Sequence, residues 1–553
     1  LPKNRLDIYQ RNKTSFQNSQ KKIHPAQKEC AHTLQLCIIK QTITVMRFNF
    51  IKTTRQVANH ENAKAYTLTP EMELYSAVVT ASLQDQFYEK TTDKLERIRS
   101  LIAKADAGFV ARLAVYTREK MYLRSVPMVL AVELARIHKG DNLVSQITGR
   151  VVQRADEITE LLAYYILANN RNEEKKLHNL SKQLQKGLAI AFNKFDEYQF
   201  AKYNRKTAVT LKDALFIVHP KAKDEAQQLL FNKIAKDSLE TPYTWETALS
   251  AAGKIKYDSE KHKQQAFKRA WEYLIDSGLL GYMATLRNLR NMLDYDVSTE
   301  HLQKVCALLC DKDAVMKSKQ LPFRYLAAYR ELKDIKHGMI INIKRALEKA
   351  LQTSVQHIRG FDVNTRVVIA CDVSGSMQKP ISVKSKVMLY DIGLLLGMLL
   401  QHKCEYVTAG MFGDSWKIVS MSPDNILGNV DEFYRREGEV GYSTNGFLVL
   451  EDLIQRKYIA DKIMLFTDGQ LWDSGTAQPS KPNTMSAKWG EYKKIAPKAK
   501  LYLFDLAGYN TVPLDVRRND VFLVAGWSDK IFEIMDAIEK GSDAITEIAG
   551  LAL

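Results

Sequence analysis

Three short stretches hold most of the chemistry that residue type and spacing can announce. The first is CDVSGSMQKP, 371–380, where Asp372, Ser374 and Ser376 stand in a D-x-S-x-S spacing just after the apolar run TRVVIA. The second is FTDG, which puts Asp468 at the end of another apolar run, KIMLF. The third is GYSTNG, 441–446, a glycine-bounded loop carrying Thr444. Two carboxylates, three hydroxyls and space for water suit a hard divalent cation, Mg²⁺ above all. Hydroxyl oxygens add ligands without adding charge, so a cation held this way stays open to a carboxylate or other oxyanion from outside. The spacing points to a metal-dependent adhesion site built from Asp372, Ser374, Ser376, Thr444 and Asp468. Other chemistries lack parts. There is no G-x-x-x-x-G-K-[ST] phosphate loop, no G-x-S-x-G elbow around Ser374 or Ser376, and no convincing general base near 372–376, so an enzyme is not expected.

A second constellation is basic and aromatic. In FDEYQFAKYNRKTAVTLKDALFIVHPK, 195–221, Lys202, Arg205, Lys206, Lys212, His219 and Lys221 interleave with Tyr198, Phe200 and Tyr203. Cations can meet phosphates while aromatic faces stack unpaired bases, the combination that single-stranded RNA sites use. The same residues also read as core aromatics, solvated lysines and a histidine that merely caps a helix. Thr210 and Asp213 have capping-box spacing, which predicts a helix over 211–218 ended by Pro220, with His219 at its C-terminus.

The elements that must position these groups fall into two textures. From about 70 to 357 the apolar period is helical almost throughout, as in TTDKLERIRSLIAKAD, FVARLAVYTREKMYL and PMVLAVELARIHKG. Short polar turns join the helices in antiparallel pairs, and no pair can bury its apolar face alone. Stacked HEAT-like pairs are the expected solution. After 363 strands and helices alternate: VVIACD, CEYVTAGMF, KIMLF, KLYLFDL and VFLVAG are strands, and DKIFEIMDAIEK is a closing helix. That rhythm predicts a mainly parallel sheet covered on both faces, with its site beyond the C-terminal strand ends at the switch in strand order.

Composition fits this division. The 553 residues exceed one ordinary core, and 46% apolar with 26% charged residues is typical of a globular protein. The longest apolar run, GLLLGMLL, is far short of the roughly 18–20 residues a bilayer span needs, so no membrane association is expected. The net charge of +17 is uneven: residues 361–553 hold 21 Lys+Arg against 25 Asp+Glu, leaving 59 against 38 in residues 1–360. A basic helical half meeting a polyanion is one reading, and a solvated basic surface is the other. The six cysteines form no CxxC pair, which fits inert buried thiols in a reducing cytosol; Cys306 and Cys310, one helical turn apart, read as packing residues. The first 45 residues show neither period and begin with Leu1, so Met46 is expected to be the natural start and 1–45 a disordered or non-native extension.

D-V-S-G-S-M, Thr444 and F-T-D-G together resemble the von Willebrand factor A domain. Preceded by a basic helical array containing REKMYLRSVPMVLAVEL, LKDALFIVHPK, ATLRNLRNML and LPFRYLAAYREL, the chain resembles the TROVE family, that of the Ro autoantigen and its bacterial relatives. The resemblance implies an all-α HEAT-like ring over 46–360 closed by an α/β domain of the von Willebrand factor A type over 361–553. It implies a cytoplasmic, monomeric, non-enzymatic scaffold for RNA quality control. Small noncoding RNA of the Y type would bind the outer surface, and the 3′ ends of misfolded RNA would enter the hole. By matching position Lys202, Lys206 and His219 become RNA contacts, and a Y-like RNA would tether an exoribonuclease such as polynucleotide phosphorylase. Arg287, Asn288, Arg290 and Asn291 in LRNLRN are suggestive too, although helix packing accounts for the asparagines equally well. One departure stands out: the family's Gly-Gly before the threonine is Tyr442-Ser443 here, where Tyr442 would narrow the approach to the metal. The rival reading is a protein–protein adhesion module with a carboxylate-clamping metal and no RNA.

Overall fold

The computed structural model describes residues 56–58, 64–81, 91–169, 180–204, 207–278, 280–318, 322–355, 361–381, 385–420, 424–471, 484–509, 511–516, 520–526 and 544–553, with single positions 320, 422, 518 and 535. The 1–45 extension, Met46, Lys206 and nearly all of the expected closing helix at 529–540 lie outside the described residues.

Two short antiparallel strands, β1 (Gln56–Ala58) and β2 (Lys64–Thr67), come first, and a helical array then runs from Pro70–Val79 to Ile340–Ser354. Its helices start where the sequence supplies a cap. Asp106 accepts from the Phe109 N–H at 2.8 Å, and Asp224 accepts from the Gln227 N–H at 2.8 Å. The expected helix after Thr210 is Leu211–Val218, with Thr210 and Asp213 capping reciprocally and His219 just beyond its last turn. Neighbouring helices pack in pairs, Ala107–Glu119 on Ser125–Ile137 and Leu143–Val151 on Lys182–Phe192, and each pair leans on the next, as stacked repeats require.

The C-terminal half contains β3 (Val367–Asp372), β4 (Val407–Phe412), β5 (Trp416–Ile418), β6 (Lys462–Thr467), β7 (Lys500–Asp505), β8 (Thr511–Val512) and β9 (Val521–Ala525). Six of them form a sheet in the order β5-β4-β3-β6-β7-β9, parallel except for the edge strand β5. Side chains of β3 alternate between two cores: Val367, Ile369 and Cys371 face the helix Leu389–Lys403, while Val368 and Ala370 face the side that holds Trp489 and Tyr492. Gly393 lets that first helix lie directly on the sheet, since a Cβ there would sit 2.7 Å from the Phe466 ring. The remaining strand, β8, pairs not with this sheet but with β2, Thr511 opposite Thr67. β1 and β2 thus form a small three-stranded sheet with β8.

Both ends of the array dock on that half, which closes it into a ring. At one end the Ser76 hydroxyl donates to Asp505 at 2.5 Å, Lys94 Nζ reaches Ala507 O at 2.7 Å, and Arg97 reaches Gly508 O at 2.7 Å. At the other, Arg330 pairs bidentately with the fully buried Asp391. Glu348 there accepts the backbone N–H groups of Ile426 (2.6 Å) and Leu427 (2.9 Å), capping a helix of the opposite domain. The fold is the expected one, a helical-repeat ring joined to an α/β domain.

Candidate metal centre and nucleic-acid interface

The candidate metal-site residues converge at the switch point. β3 connects to β4 on one side, and the chain then passes back to β6 on the other, so the C-terminal ends of β3 and β6 bound the crevice. Asp372 ends β3 and Asp468 follows β6. Asp372, Ser374, Ser376, Thr444 and Asp468 are all buried, each less than a tenth exposed. The Asp372 carboxylate accepts the Ser374 N–H at 2.9 Å on one oxygen and the Thr467 hydroxyl at 2.8 Å on the other. The Ser374 and Ser376 hydroxyls are 3.2 Å apart. Thr444 donates to Gln470 O at 3.0 Å, which spends its proton on the protein.

The charges at this rim are unbalanced. Among the described residues neither Asp372 nor Asp468 has an ion-pair partner, and Asp468 Oδ2 is a buried acceptor with no hydrogen bond. Burial pushes both carboxyls up, Asp372 to about 6 and Asp468 to about 7; the Asp372 charge adds to the rise at Asp468, and hydrogen bonds from Ser376 and the Gln470 N–H offset part of it. Two buried carboxylates, an orphaned oxygen and three hydroxyls fit a hard cation. No group of three or more His, Cys, Asp or Glu suited to a metal occurs among the described residues, so hydroxyls would have to complete this set. Cys306 and Cys310 are half-buried and pack against the core, with burial pushing the Cys306 thiol up to about 11. Tyr442 is 54% exposed, on a loop that Asp414 steadies through the Ser443 N–H at 3.2 Å.

The basic stretch opens onto a cavity of about 1040 Å³ walled by the array. Lys202 lines it from the helix Glu197–Tyr203, its Nζ 5.6 Å from the Tyr198 ring centre and 5.8 Å from that of Tyr203. Arg154 lies 4.4 Å over the other ring contact, Tyr203, and pairs with Asp156 at 2.8 Å. Its backbone is fixed by the buried Glu157, which accepts the Arg154 N–H while bound to Arg118. Arg287 also lines it, exposed, with no hydrogen bond or ion pair among the described residues. Tyr198 and Tyr243 present half their surfaces to solvent in this cavity, and Glu240 and Glu246 moderate its positive charge.

Of the three expected RNA contacts, only Lys202 is placed in the cavity wall. His219 is exposed at the C-terminus of Leu211–Val218, in left-handed backbone at φ 48°, and does not line the cavity; Lys206 lies outside the described residues. Arg154, Tyr243 and Arg287 were missed as a set because they come from three segments far apart in the chain. Arg287 did carry a signal in LRNLRN, and one of the asparagines beside it packs inward: Asn288 is buried, donating to Ala284 O at 2.8 Å and accepting from Asn291 at 2.8 Å, while Asn291 is itself exposed.

Comparison with known proteins gives a consistent answer. Telomerase protein component 1 of Rattus norvegicus is 22% identical over 347 residues, 51% of this chain, and its Mus musculus counterpart 23% over 346 residues, 50% of the chain. The chain spans only 13% of the length of either relative. The crystal structure of the Deinococcus radiodurans Ro (Rsr) protein superposes with a TM-score of 0.57 at 17% identity, covering 86% of this chain and all of that one, and so shares the fold. The sequence model of the TROVE domain matches residues 39–267 and 236–367, more than half of the protein. The chain belongs to the TROVE domain family.

Proposed function

We propose that this protein is an RNA-binding ring scaffold that takes single-stranded RNA into its cavity. The observation that carries the reading is the cavity wall, which among the described residues holds an uncommitted Arg287, a Lys202 engaged only with aromatic faces, and the half-exposed rings of Tyr198 and Tyr243. Cations there would meet phosphates and the two tyrosines would stack bases, independently of sequence. Its ligands would be Y-like small noncoding RNA and the 3′ ends of misfolded RNA, with an exoribonuclease such as polynucleotide phosphorylase as a tethered partner. It would work as a cytoplasmic monomer in RNA quality control, without catalysis of its own.

The second site would hold Mg²⁺ through Asp372, Ser374, Ser376, Thr444 and Asp468; the orphaned Asp468 Oδ2 supports this. A bound cation would supply an electrophilic centre for an acidic group of a partner. That observation also keeps the rival reading, a metal-dependent adhesion module without RNA, in the test.

Fluorescence anisotropy with a labelled single-stranded oligonucleotide and a blunt duplex separates the readings. Arg287→Ala and Lys202→Ala are expected to weaken single-strand binding and each reduce the salt slope by about 0.7. Tyr243→Ala would lose about 1–3 kcal/mol with the slope unchanged. A salt-independent signal, or one equal in all variants, would refute RNA binding in the cavity. Capture of a protein partner that needs Mg²⁺ and Asp372 but neither Lys202 nor Arg287 would favour the adhesion module.

A further inference from the structure

The candidate metal rim is joined by hydrogen bonds to the strand pair that attaches the start of the helical array. Gln470 is 1% exposed, and its three polar groups are committed in three directions. Its backbone N–H donates to Asp468 Oδ1 at 3.0 Å, its carbonyl accepts from Thr444 at 3.0 Å, and its side-chain amide donates to Thr511 Oγ1 at 3.2 Å. One residue therefore orients two of the five candidate ligands, from loops 24 residues apart, and anchors both to β8. The turn at Gly469, φ +80°, runs against the same strand, since a Cβ there would lie 3.1 Å from Thr511 O.

β8 is two residues long and among the described residues takes its ladder partner from β2 alone, Thr511 opposite Thr67 and Val512 opposite Tyr66. Two residues after Thr67, Thr69 caps the helix Pro70–Val79, its hydroxyl accepting the Met72 N–H at 3.3 Å. The path from ligand to array is thus Thr444 and Asp468, Gln470, Thr511, Thr67 and the first helix, with each step a hydrogen bond or a strand register except the last, which is the chain itself through Thr69.

We propose that Gln470 and Thr511 are positioning residues of the metal site, and that through them cation binding and the docking of β2 form one linked equilibrium. The proposal rests on the metal reading given above. Partners that orient metal ligands typically contribute 10–100-fold to metal affinity. By reciprocity, whatever affinity the docked strand adds to the cation, the cation returns to the docked strand.

The test uses the full chain and Mg²⁺ alone. Titration calorimetry gives the Kd, and hydrogen exchange is followed at the amides of residues 64–67 and 511–512 with and without Mg²⁺. In the wild type Mg²⁺ is expected to slow exchange in both strands. Thr511→Val keeps the β-branched shape but removes the oxygen, and is expected to raise the Kd about tenfold and abolish the slowing in β2. Thr511→Ser restores the oxygen and both readouts, which a packing role for Thr511 would not allow. A wild-type Kd in Thr511→Val, or Mg²⁺ binding that leaves β2 exchange unchanged, overturns the coupling while the metal site stands. Absence of Mg²⁺ uptake by wild type and Asp372→Ala alike overturns the metal reading itself, and the coupling with it.

Discussion

Replacing Arg330 by methionine strands a buried carboxylate at the seam between the array and the α/β half. Asp391 is fully buried, holds both terminal nitrogens of the Arg330 guanidinium, and caps its own helix by accepting the Met388 N–H at 2.6 Å. Arg330 donates as well to Lys386 O at 2.8 Å. Breaking such a pair from one side costs about 3–5 kcal/mol, because the remaining charge keeps its desolvation penalty. The penalty must depend on pH. Burial already pushes the Asp391 carboxyl up to about 6 with the guanidinium in place, and without it the value rises further. Between those two values the variant is protonated while the wild type stays charged, so the penalty falls by about 1.4 kcal/mol per pH unit on acidification. From pH 8 to pH 6 the reduction reaches up to about 3 kcal/mol. Hydrogen exchange of the amides in Leu389–Lys403, corrected for the intrinsic rate, measures the local opening free energy directly. A penalty that is flat with pH, or below about 1 kcal/mol at pH 8, would refute the reasoning. So would a double variant, Arg330→Met with Asp391→Leu, that is no more stable at pH 8 than the single one.

Two further outcomes are expected. Asp372 and Asp468 have folded values raised above the ordinary carboxylate range, so in EDTA they favour folding at acid pH and lose that contribution as pH rises through about 6–7. The melting temperature of the wild type relative to Asp468→Asn should therefore fall from pH 5 to pH 8 in EDTA and rise in millimolar Mg²⁺; equal profiles in both buffers would contradict the burial argument. Gly187→Ala should destabilise despite a helix-propensity gain of up to about 1 kcal/mol, since its Cβ would lie 2.5 Å from Thr148 Cβ and 2.7 Å from Ser145 O. Overpacking of this kind costs about 1–3 kcal/mol, so a net loss of roughly 1–2 kcal/mol in urea unfolding is the expected result.

What the sequence disclosed depended on how locally each feature is encoded. The D-x-S-x-S loop lies at the end of a strand whose apolar run is unmistakable, and Asp372, Ser374 and Ser376 need only five consecutive residues to come together. The helix Leu211–Val218 was legible because its cap, Thr210 with Asp213, spans four residues. The partnership of β2 with β8 was not, since two strands of four and two residues carry almost no periodic signal and lie more than 440 positions apart. Cavity residues behaved likewise. Lys202 stood out in a dense local cluster, whereas Tyr243 follows an ordinary polar turn and acquires its surroundings from segments before and after it that are distant in the chain. Gln470 was passed over because a glutamine after T-D-G shows its value only through Thr511.

The hydrogen bond from Ser76 to Asp505 joins residues separated by 429 positions. At synthesis rates of about 5–20 residues per second, Asp505 follows Ser76 out of the ribosome by roughly 20–90 s. For that interval the first helix has its own turns but not the sheet that will cover it, and Leu68, Tyr75, Val78 and Val79, all buried in the finished protein, await their lining. The helix Pro70–Val79 is therefore among the last to be fully enclosed. Until then part of its apolar face stays open to chaperones, and slow translation would prolong that exposure while leaving the finished ring's stability unchanged.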